Sequence, residues 1–178
     1  MTHIPTSTLP AIGEALAGGF FAGSYLENGA LMALIVAPKA EGEAGDLEWG
    51  PDGETGARSL IDGLANSNAI NDDDHPAAKF CRDLRIGGFD DWHLPALDQM
   101  TVMRANLTPE DDHVPTQTTA DAFKEGGPEA FATNEAYWTS TEWSSGYAWY
   151  QNFGYGGGQD HDDKDWSFRV RAVRKCPL

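Results

Sequence analysis

The chain has 178 residues, of which 40% are hydrophobic and 22% are charged, as is typical of a single soluble globular domain. Its 12 basic and 28 acidic residues give a formal net charge of −16, which argues against nucleic-acid binding because phosphate backbones are repelled. The apolar run at 30–37 is far shorter than the ~20 residues that span a bilayer, and the N-terminal residues lack the pattern of a signal peptide. We therefore expect neither membrane insertion nor classical secretion.

The first elements are an arm and a hairpin. Residues 1–18 contain proline and glycine and are weakly periodic, so we expect an N-terminal arm before a single domain at 19–178. Residues 20–26 and 30–38 flank Asn28-Gly29, the strongest short-range hairpin signal. The second strand is almost entirely apolar and should therefore be central in its sheet.

Helices are predicted next. After a glycine- and acid-rich loop at 41–56, residues 59–69 read as a helix, with Ser59 and Asp62 in capping-box spacing and an apolar face of Leu60, Ile61, Leu64 and Ala65. A second helix begins at Pro76 and carries the stripe Ala77, Phe80, Cys81 and Leu84. A third spans about 96–105 and uses Leu97, Met100 and Met103.

The C-terminal half predicts strands. Residues 108–135 form a long, poorly periodic stretch, and loops of that length are usually functional or mobile. Short strands follow at 137–141, 147–153 and 165–175. Strands, then two to three helices, then strands indicate an α+β fold in one domain.

Residues 137–168 have an unusual composition. They hold four of the six tryptophans and four of the five tyrosines, set among Ser, Gly, Asn, Gln and Asp. Rigid aromatics among small adaptable polar residues are the composition of a binding surface. The alternative interpretation is that residues 154–165 form only a solvated hairpin loop.

Alternation along 147–153 divides this segment into faces. We expect Phe153 to be buried, and Trp149 lies on the same face of the strand because it is four residues away. Tyr150 and Asn152 then face outward. Trp138, Trp166 and Phe168 are interpreted as scaffold. The candidate ligand-binding residues are Trp143, Ser144, Tyr147, Tyr150, Asn152, Tyr155, Gln159, His161 and Asp162.

Catalytic signals are weak. The sequence contains no G-x-S-x-G, H-E-x-x-H or P-loop motif, and its histidines are scattered among polar turns. The acidic residues at 160–165 do not match the spacing of an EF-hand, so we expect no metal site. Because no catalytic or cofactor-binding motif is present, we also expect that the protein binds no cofactor and is not an enzyme. Arg169, Arg171 and Arg174 are interpreted as charge partners for nearby acids.

The two cysteines, Cys81 and Cys176, have no neighbouring Cys or His at metal-ligand spacing, which argues against a zinc site. Two interpretations stay open: buried thiols, or one long-range disulfide. A bridge closing so long a loop would contribute ~4–5 kcal/mol in the chain-entropy model.

Three blocks carry a family resemblance: CRDLRIGGFDDWHLP at 81–95, YWTSTE at 137–142 and FRVRAVR at 168–174. Together they resemble a bacterial and phage domain family typified by the C-terminal domain of a collagen-like adhesin, with a match over about 60–175. The N-terminal third resembles the lead segment of phage and prophage proteins that carry this domain.

That family is similar to C-type lectin-like domains. The resemblance implies two helices packed on short antiparallel strands, with the termini close together. In that fold a bridge often joins the first helix to the last strand, which suits Cys81 and Cys176, although the family's second cysteine falls at Ala172 here. The calcium-binding triplets of sugar-binding C-type lectins are absent, so calcium-dependent sugar binding is not implied.

The resemblance implies a function. We expect a non-catalytic phage or prophage tail-fibre or tail-tip protein, made in the bacterial cytoplasm, that binds a host-surface protein or glycan and contacts other virion subunits, with a homo-oligomer compatible with that role. In some relatives the C-terminal segment is diversified by a retroelement, and many residues at 144–167 are of the types that such mutagenesis reaches. The alternatives are a structural virion decoration or assembly protein and, with less weight, an enzyme of the formylglycine-generating type.

Overall fold

A computed structural model describes residues 9–109, 117–154 and 157–178. Its strands are β1 (Ala15–Leu16), β2 (Gly19–Glu27), β3 (Ala30–Val36), β4 (Glu43–Glu48), β5 (Ala136–Glu142), β6 (Tyr147–Asn152), β7 (Gln159–Asp163), β8 (Ser167–Arg171) and β9 (Val173–Pro177). Its helices are α1 (Lys39–Gly42), α2 (Gly63–Ala69), α3 (Pro76–Asp83) and α4 (Leu97–Leu107), with a 3-10 turn at Asp121–Phe123. The α+β class predicted from the sequence is confirmed.

The described strands form two sheets. One has the order β1-β2-β3-β9, and the other has the order β4-β8-β5-β6-β7. Their pairings are antiparallel except that of β5 with β8, which is parallel where Tyr137 lies opposite Arg169. Ala172 joins the sheets: its carbonyl accepts from the Ala37 amide and its own amide donates to Gly42, both at 2.9 Å.

The predicted hairpin is confirmed. Asn28 and Gly29 both adopt positive φ, at 51° and 83°, as a tight two-residue hairpin turn requires. β3 lies between β2 and β9 and is buried from Met32 to Val36, so its central position is also confirmed. Within the segment expected to be an arm, β1 pairs with β2, and Ile12 and Leu16 pack on the core.

Two of the three predicted helices are confirmed, and one is shorter than predicted. α3 starts at Pro76 and buries Ala77 and Cys81, and α4 buries Met100 and Met103. α2 begins only at Gly63, because the Asp62 side chain caps it by accepting from the Ala65 amide at 3.0 Å. Ser59 instead caps the preceding turn, and Leu60 is 50% exposed rather than facing the core.

Two strands lie where loops were predicted. β4 pairs with β8 at one edge of the five-stranded sheet, and β7 pairs with β6 at the other. Their sequences, EAGDLE and QDHDD, have little intrinsic strand propensity, so pairing with a neighbouring strand is what makes them extended. The predicted strand at 165–175 is divided at Ala172 into β8 and β9, which belong to different sheets.

The buried residues form two clusters. One includes the fully buried Trp49, Trp92 and Trp138; the other lies under α4 and includes Tyr137 and Phe153. The described part of the long 108–135 segment is tied to the second cluster by Phe131, whose ring stacks on Phe153 with centroids 3.9 Å apart. No helix in the described ranges is both long and apolar enough to cross a membrane.

The block at 137–142, which carries part of the family resemblance, is structural. β5 is irregular between Trp138 and Glu142, which frees polar groups to bind neighbouring segments. The Thr141 hydroxyl donates to Ser59 O at 3.0 Å and accepts from the Leu97 amide at 3.1 Å. The Thr139 carbonyl accepts from the Trp49 indole at 2.9 Å. This strand therefore organises the loops around it.

The three C-terminal arginines pair with acids, as predicted. Arg171 is fully buried between Glu43 and Glu129, while Arg169 contacts Glu43 and Glu135. Arg174 pairs with Asp91 and lies 3.7 Å from the Phe89 ring centroid. These ion pairs fix β8 and β9 to the surrounding loops.

Candidate functional site

The candidate site is built on the turn between β5 and β6. The Trp143 and Ser144 amides both donate to the Tyr147 carbonyl, at 2.9 and 3.1 Å, which closes a tight turn. β7 then pairs antiparallel with β6 at the edge of the sheet. The register places His161 opposite Trp149 and Asp163 opposite Tyr147.

Four rings meet on one face of this edge: Trp143, Tyr147, Trp149 and His161, named here the aromatic cluster. Trp143 stacks on His161 with centroids 5.0 Å apart and meets Trp149 edge-on, also at 5.0 Å. Tyr147 meets His161 edge-on at 5.6 Å. Trp143 is 50% exposed and Tyr147 42% exposed, so large apolar area faces solvent.

Tyr150 lies on the opposite face of the strand. Ala148 is fully buried, and Tyr150 packs against Trp138 and Phe168 at centroid distances of 6.4 and 5.0 Å. Burial raises the pKa of Tyr150, with further contributions from Asp160 and Asp162. The predicted assignment of faces is therefore wrong: Tyr150 packs on the core, and Trp149 belongs to the aromatic cluster. Phe153 follows the end of β6, so it does not report the strand's alternation.

The other predicted residues are spread around the cluster. Ser144 lies in the turn, and the Asn152 amide donates to Gly158 O at 3.0 Å. The Gln159 side chain points to α4, donating to the Thr101 hydroxyl at 2.9 Å. Asp162 accepts from the Asp163 amide at 2.9 Å. Tyr155 lies outside the described residues. Of the predicted set, the structure thus brings Trp143, Tyr147 and His161 together.

Sequence reasoning missed Trp166 as well as Trp149. Trp166 is 56% exposed rather than part of the scaffold, and with Asp52, Asp163 and Asp165 it lines a cavity of about 460 Å³. The signal for Trp149 was present, because it shares strand parity with Tyr147. Trp166 directly follows the acidic run, a polar context that favours exposure.

An acidic groove adjoins the aromatic cluster. Asp165 lines both the cavity beside Trp166 and a neighbouring cavity of about 430 Å³. Together the carboxylates that line the two cavities are Glu48, Asp52, Asp73, Asp74, Asp163 and Asp165. No lysine or arginine from the described ranges lines either one. The groove is therefore strongly negative.

A buried ion pair supports this region. Lys164 and Glu142 have fully buried side chains whose charged atoms are 2.7 Å apart. The Lys164 ammonium also donates to the carbonyls of Gly53 and Ser145, at 2.7 and 3.0 Å. Burial would raise the pKa of Glu142, but hydrogen bonds from Lys164, Thr55 and Arg58 leave that pKa below its ordinary value. The pair holds the β5–β6 turn against the loop that carries Asp52.

The groups that this surface presents are aromatic rings and carboxylates. The described part of the chain contains no group of three or more His, Cys, Asp or Glu side chains arranged to hold a metal ion. Cys81 and Cys176 are both buried in the first core cluster and are present as thiols rather than as a disulfide. Burial raises the pKa of both thiols.

Comparison with known proteins places the chain in a family. A family model described as the Lcl C-terminal domain matches residues 42–174, which is most of the chain. The match starts earlier than the predicted residue 60 and takes in β4 along with the three blocks quoted above. No curated protein matches the sequence. Because one family model covers so much of its length, the chain belongs to the Lcl C-terminal domain family.

Proposed function

We propose that this chain is a non-catalytic ligand-binding protein that uses the aromatic cluster as its contact surface. The observation that carries the proposal is the exposure of Trp143 and Tyr147, at 50% and 42%, beside a partly exposed His161. Exposed aromatics are a liability for solubility and usually mark binding sites. Trp and Tyr are also enriched among residues that dominate binding energy.

Family membership supports an adhesin-type, lectin-like ligand-binding domain. The arrangement of helices beside short, mostly antiparallel strands, with β1 and β9 in one sheet, is compatible with a C-type lectin-like fold. We extend this to a phage or prophage tail-fibre or tail-tip protein in the virion. Its partner would be a protein or glycan on the host surface.

The proposal involves no chemical step. Cys81 is fully buried and burial raises its pKa, whereas a catalytic thiol is accessible and has a lowered pKa. His93 is also fully buried, so it is not placed to transfer protons to a ligand. These features weigh against an enzyme of the formylglycine-generating type.

Host adsorption by particles carrying the double change Trp143→Ala and Tyr147→Ala tests the proposal. We expect adsorption to fall at least tenfold while particle assembly and the folding of the chain stay normal. Leu60→Ala is the matched control, because Leu60 is also 50% exposed but lies outside the cluster, and it should adsorb normally. Unchanged adsorption in the double variant would reject the proposal.

A second candidate function, a structural virion component, is favoured by a different surface. Leu26 and Leu31 face each other across the hairpin tip and are 65% and 39% exposed. An exposed apolar pair of this kind suits contact with another virion subunit or a second copy of the chain. Changing both leucines to Ser should impair assembly under this candidate and leave it intact otherwise.

Retroelement diversification is part of the proposal for this family member. Tyr147, Trp149 and His161 lie within residues 144–167, the segment whose residue types fit such mutagenesis. A repeat of the coding DNA beside a reverse-transcriptase gene would support it. A genome with no such repeat would reject it.

A further inference from the structure

We propose that the aromatic cluster and the acidic groove together bind a cationic segment of a receptor protein, one that presents Lys or Arg side chains. This inference rests on the proposed function, since it names the ligand class of the same surface. It goes beyond that function by choosing between a protein and a glycan.

The two surfaces are continuous. Asp163 of the groove lies directly opposite Tyr147 of the cluster across the β6–β7 pair. The Asp52 loop rests on the turn before Tyr147: the Gly53 amide donates to Ser145 O at 2.8 Å. A Cβ placed on Gly146 would lie 3.4 Å from the Asp52 carboxylate. A single extended ligand therefore reaches both surfaces.

Asp73 at the far end of the groove lies 3.8 Å from the Lys79 ammonium, but the carboxylates nearest the aromatic cluster are not neutralised by neighbouring cations. Among the described residues, Asp52, Asp163 and Asp165 form no ion pair. Lys164, the basic residue between Asp163 and Asp165, is fully buried and its ammonium is taken up by Glu142 and two carbonyls. Arg58 on the adjoining loop is held by Glu54 and Glu142. The unbalanced negative charge is complementary to a basic ligand.

The ring geometry suits a cation better than a sugar. Trp143 stacks on His161 at 29°, but Trp149 stands at 79° to Trp143 and Tyr147 at 87° to His161, so the four rings do not form one flat platform. Crossed aromatic faces beside carboxylates are the chemistry that recognises ammonium and guanidinium groups. An anionic glycan would be repelled by the groove and by the net charge of −16.

The protein uses the same chemistry internally. The Lys164 ammonium lies 4.7 Å from the Trp49 ring centroid while it pairs with Glu142. Arg174 lies 3.7 Å from the Phe89 ring centroid while it pairs with Asp91. In both cases a cation is held between an aromatic face and a carboxylate. At the surface, the ring and the carboxylate are present and the cation would come from the ligand.

Binding of defined probes to the purified full chain tests the inference. The probes are a flexible peptide with alternating Arg, Lys and Gly, the same peptide with citrulline and acetyl-lysine, a neutral oligosaccharide and a heparin oligosaccharide. Calorimetry and tryptophan fluorescence measure each Kd. We expect only the basic peptide to bind, with an affinity that falls as salt concentration rises.

Variants separate specific recognition from general charge attraction. Asp52→Asn with Asp165→Asn, and separately Trp143→Ala with Tyr147→Ala, should each raise the Kd for the basic peptide at least tenfold. Asp90→Asn with Glu125→Gln removes the same charge from exposed positions outside the surface and should leave the Kd within twofold. The inference is overturned if the two carboxylate double variants raise the Kd for the basic peptide equally. It is also overturned if either oligosaccharide binds in a way that depends on the aromatic cluster while the basic peptide does not bind.

Adsorption assays keep this inference distinct from the proposed function. If the aromatic double variant loses adsorption but the Asp52/Asp165 variant adsorbs normally, the binding function stands and the cationic ligand is rejected. If the aromatic double variant adsorbs normally, the binding function itself fails. Loss of adsorption in both variants, with correct folding by circular dichroism, supports both.

Discussion

The Lys164 ammonium and the Glu142 carboxylate are 2.7 Å apart, and neither side chain is exposed to solvent. Glu142 ends β5 and Lys164 follows β7, so the pair joins two strands of the sheet directly below the exposed turn that carries Trp143. The same ammonium binds carbonyls of the turn and of the Asp52 loop. The geometry of the candidate site therefore depends on the ammonium of Lys164, which is buried and does not itself contact solvent.

Replacing Lys164 by Met should reduce the free energy of unfolding by about 3 kcal/mol, the lower end of the range for breaking a buried ion pair, because Glu142 would keep only the half-exposed Arg58 as a cationic partner. Urea denaturation measures the change. Lys124→Met is the matched control: Lys124 is 40% exposed in its ion pair with Asp121, and its loss should cost less than about 1 kcal/mol. Equal effects of the two changes would contradict the structural role of the buried pair.

Stability should fall between about pH 6.5 and pH 4 because of His93. Burial lowers the pKa of this fully buried histidine from 6.5 to about 4, with smaller effects from nearby groups, including Lys175 and Arg82, which lower it, and Asp62, which raises it. In that window the unfolded chain binds a proton that the folded chain does not, so the free energy of unfolding decreases as pH falls, by roughly 3 kcal/mol in total.

Urea denaturation at a series of pH values measures this dependence. The paired carboxylates Asp62 and Asp91 have lowered pKa values, so their contribution is lost only below pH 3.8, outside the histidine window. His93→Asn should flatten the curve between pH 6.5 and 4.5. A flat curve in the unaltered protein would show that His93 is not the titrating group.

Gly87 and Gly88 should differ in their tolerance of alanine, although both have positive φ, at 61° and 82°. A Cβ on Gly87 would lie 2.4 Å from the Gly18 Cα, whereas one on Gly88 meets nothing within 4 Å. Gly88→Ala should reduce the free energy of unfolding by about 1–2 kcal/mol, because alanine is strained in the left-handed backbone conformation. Gly87→Ala should cost roughly 1–3 kcal/mol more because of the clash. Equal thermal stabilities of the two variants would contradict the close approach of Gly18.

Cys81 should resist alkylation in the native protein. Its thiol is fully buried and burial raises its pKa, so little reactive thiolate is available. Iodoacetamide at pH 8, followed by mass spectrometry of the peptides, should show modification of Cys81 only after urea is added. Rapid labelling of Cys81 in the folded chain would reopen the possibility of thiol chemistry.

The sequence alone predicted the elements that depend on local signals. The Asn28-Gly29 hairpin and the helices α3 and α4 follow from turn chemistry, a proline at a helix start and apolar spacing, all of which act within a few residues. The three blocks that indicate the family are also local in sequence. Most of their large side chains, such as Trp92 and Trp138, are buried in the core.

The tertiary structure decided what the rings do. The sequence predicts Trp149 and Trp166 as scaffold and Tyr150 as a contact. In the structure Trp166 is 56% exposed, the half-buried Trp149 packs against Trp143, and Tyr150 packs against Trp138 and Phe168. The alternation of side-chain direction along a strand determines which side chains share a face. Which of the two faces is buried depends on the packing of other segments against the strand. β7 is extended because β6 supplies its hydrogen-bond partners, and Lys164 is buried as a cation because Gly53 and Glu142, more distant in sequence, supply oxygens for it.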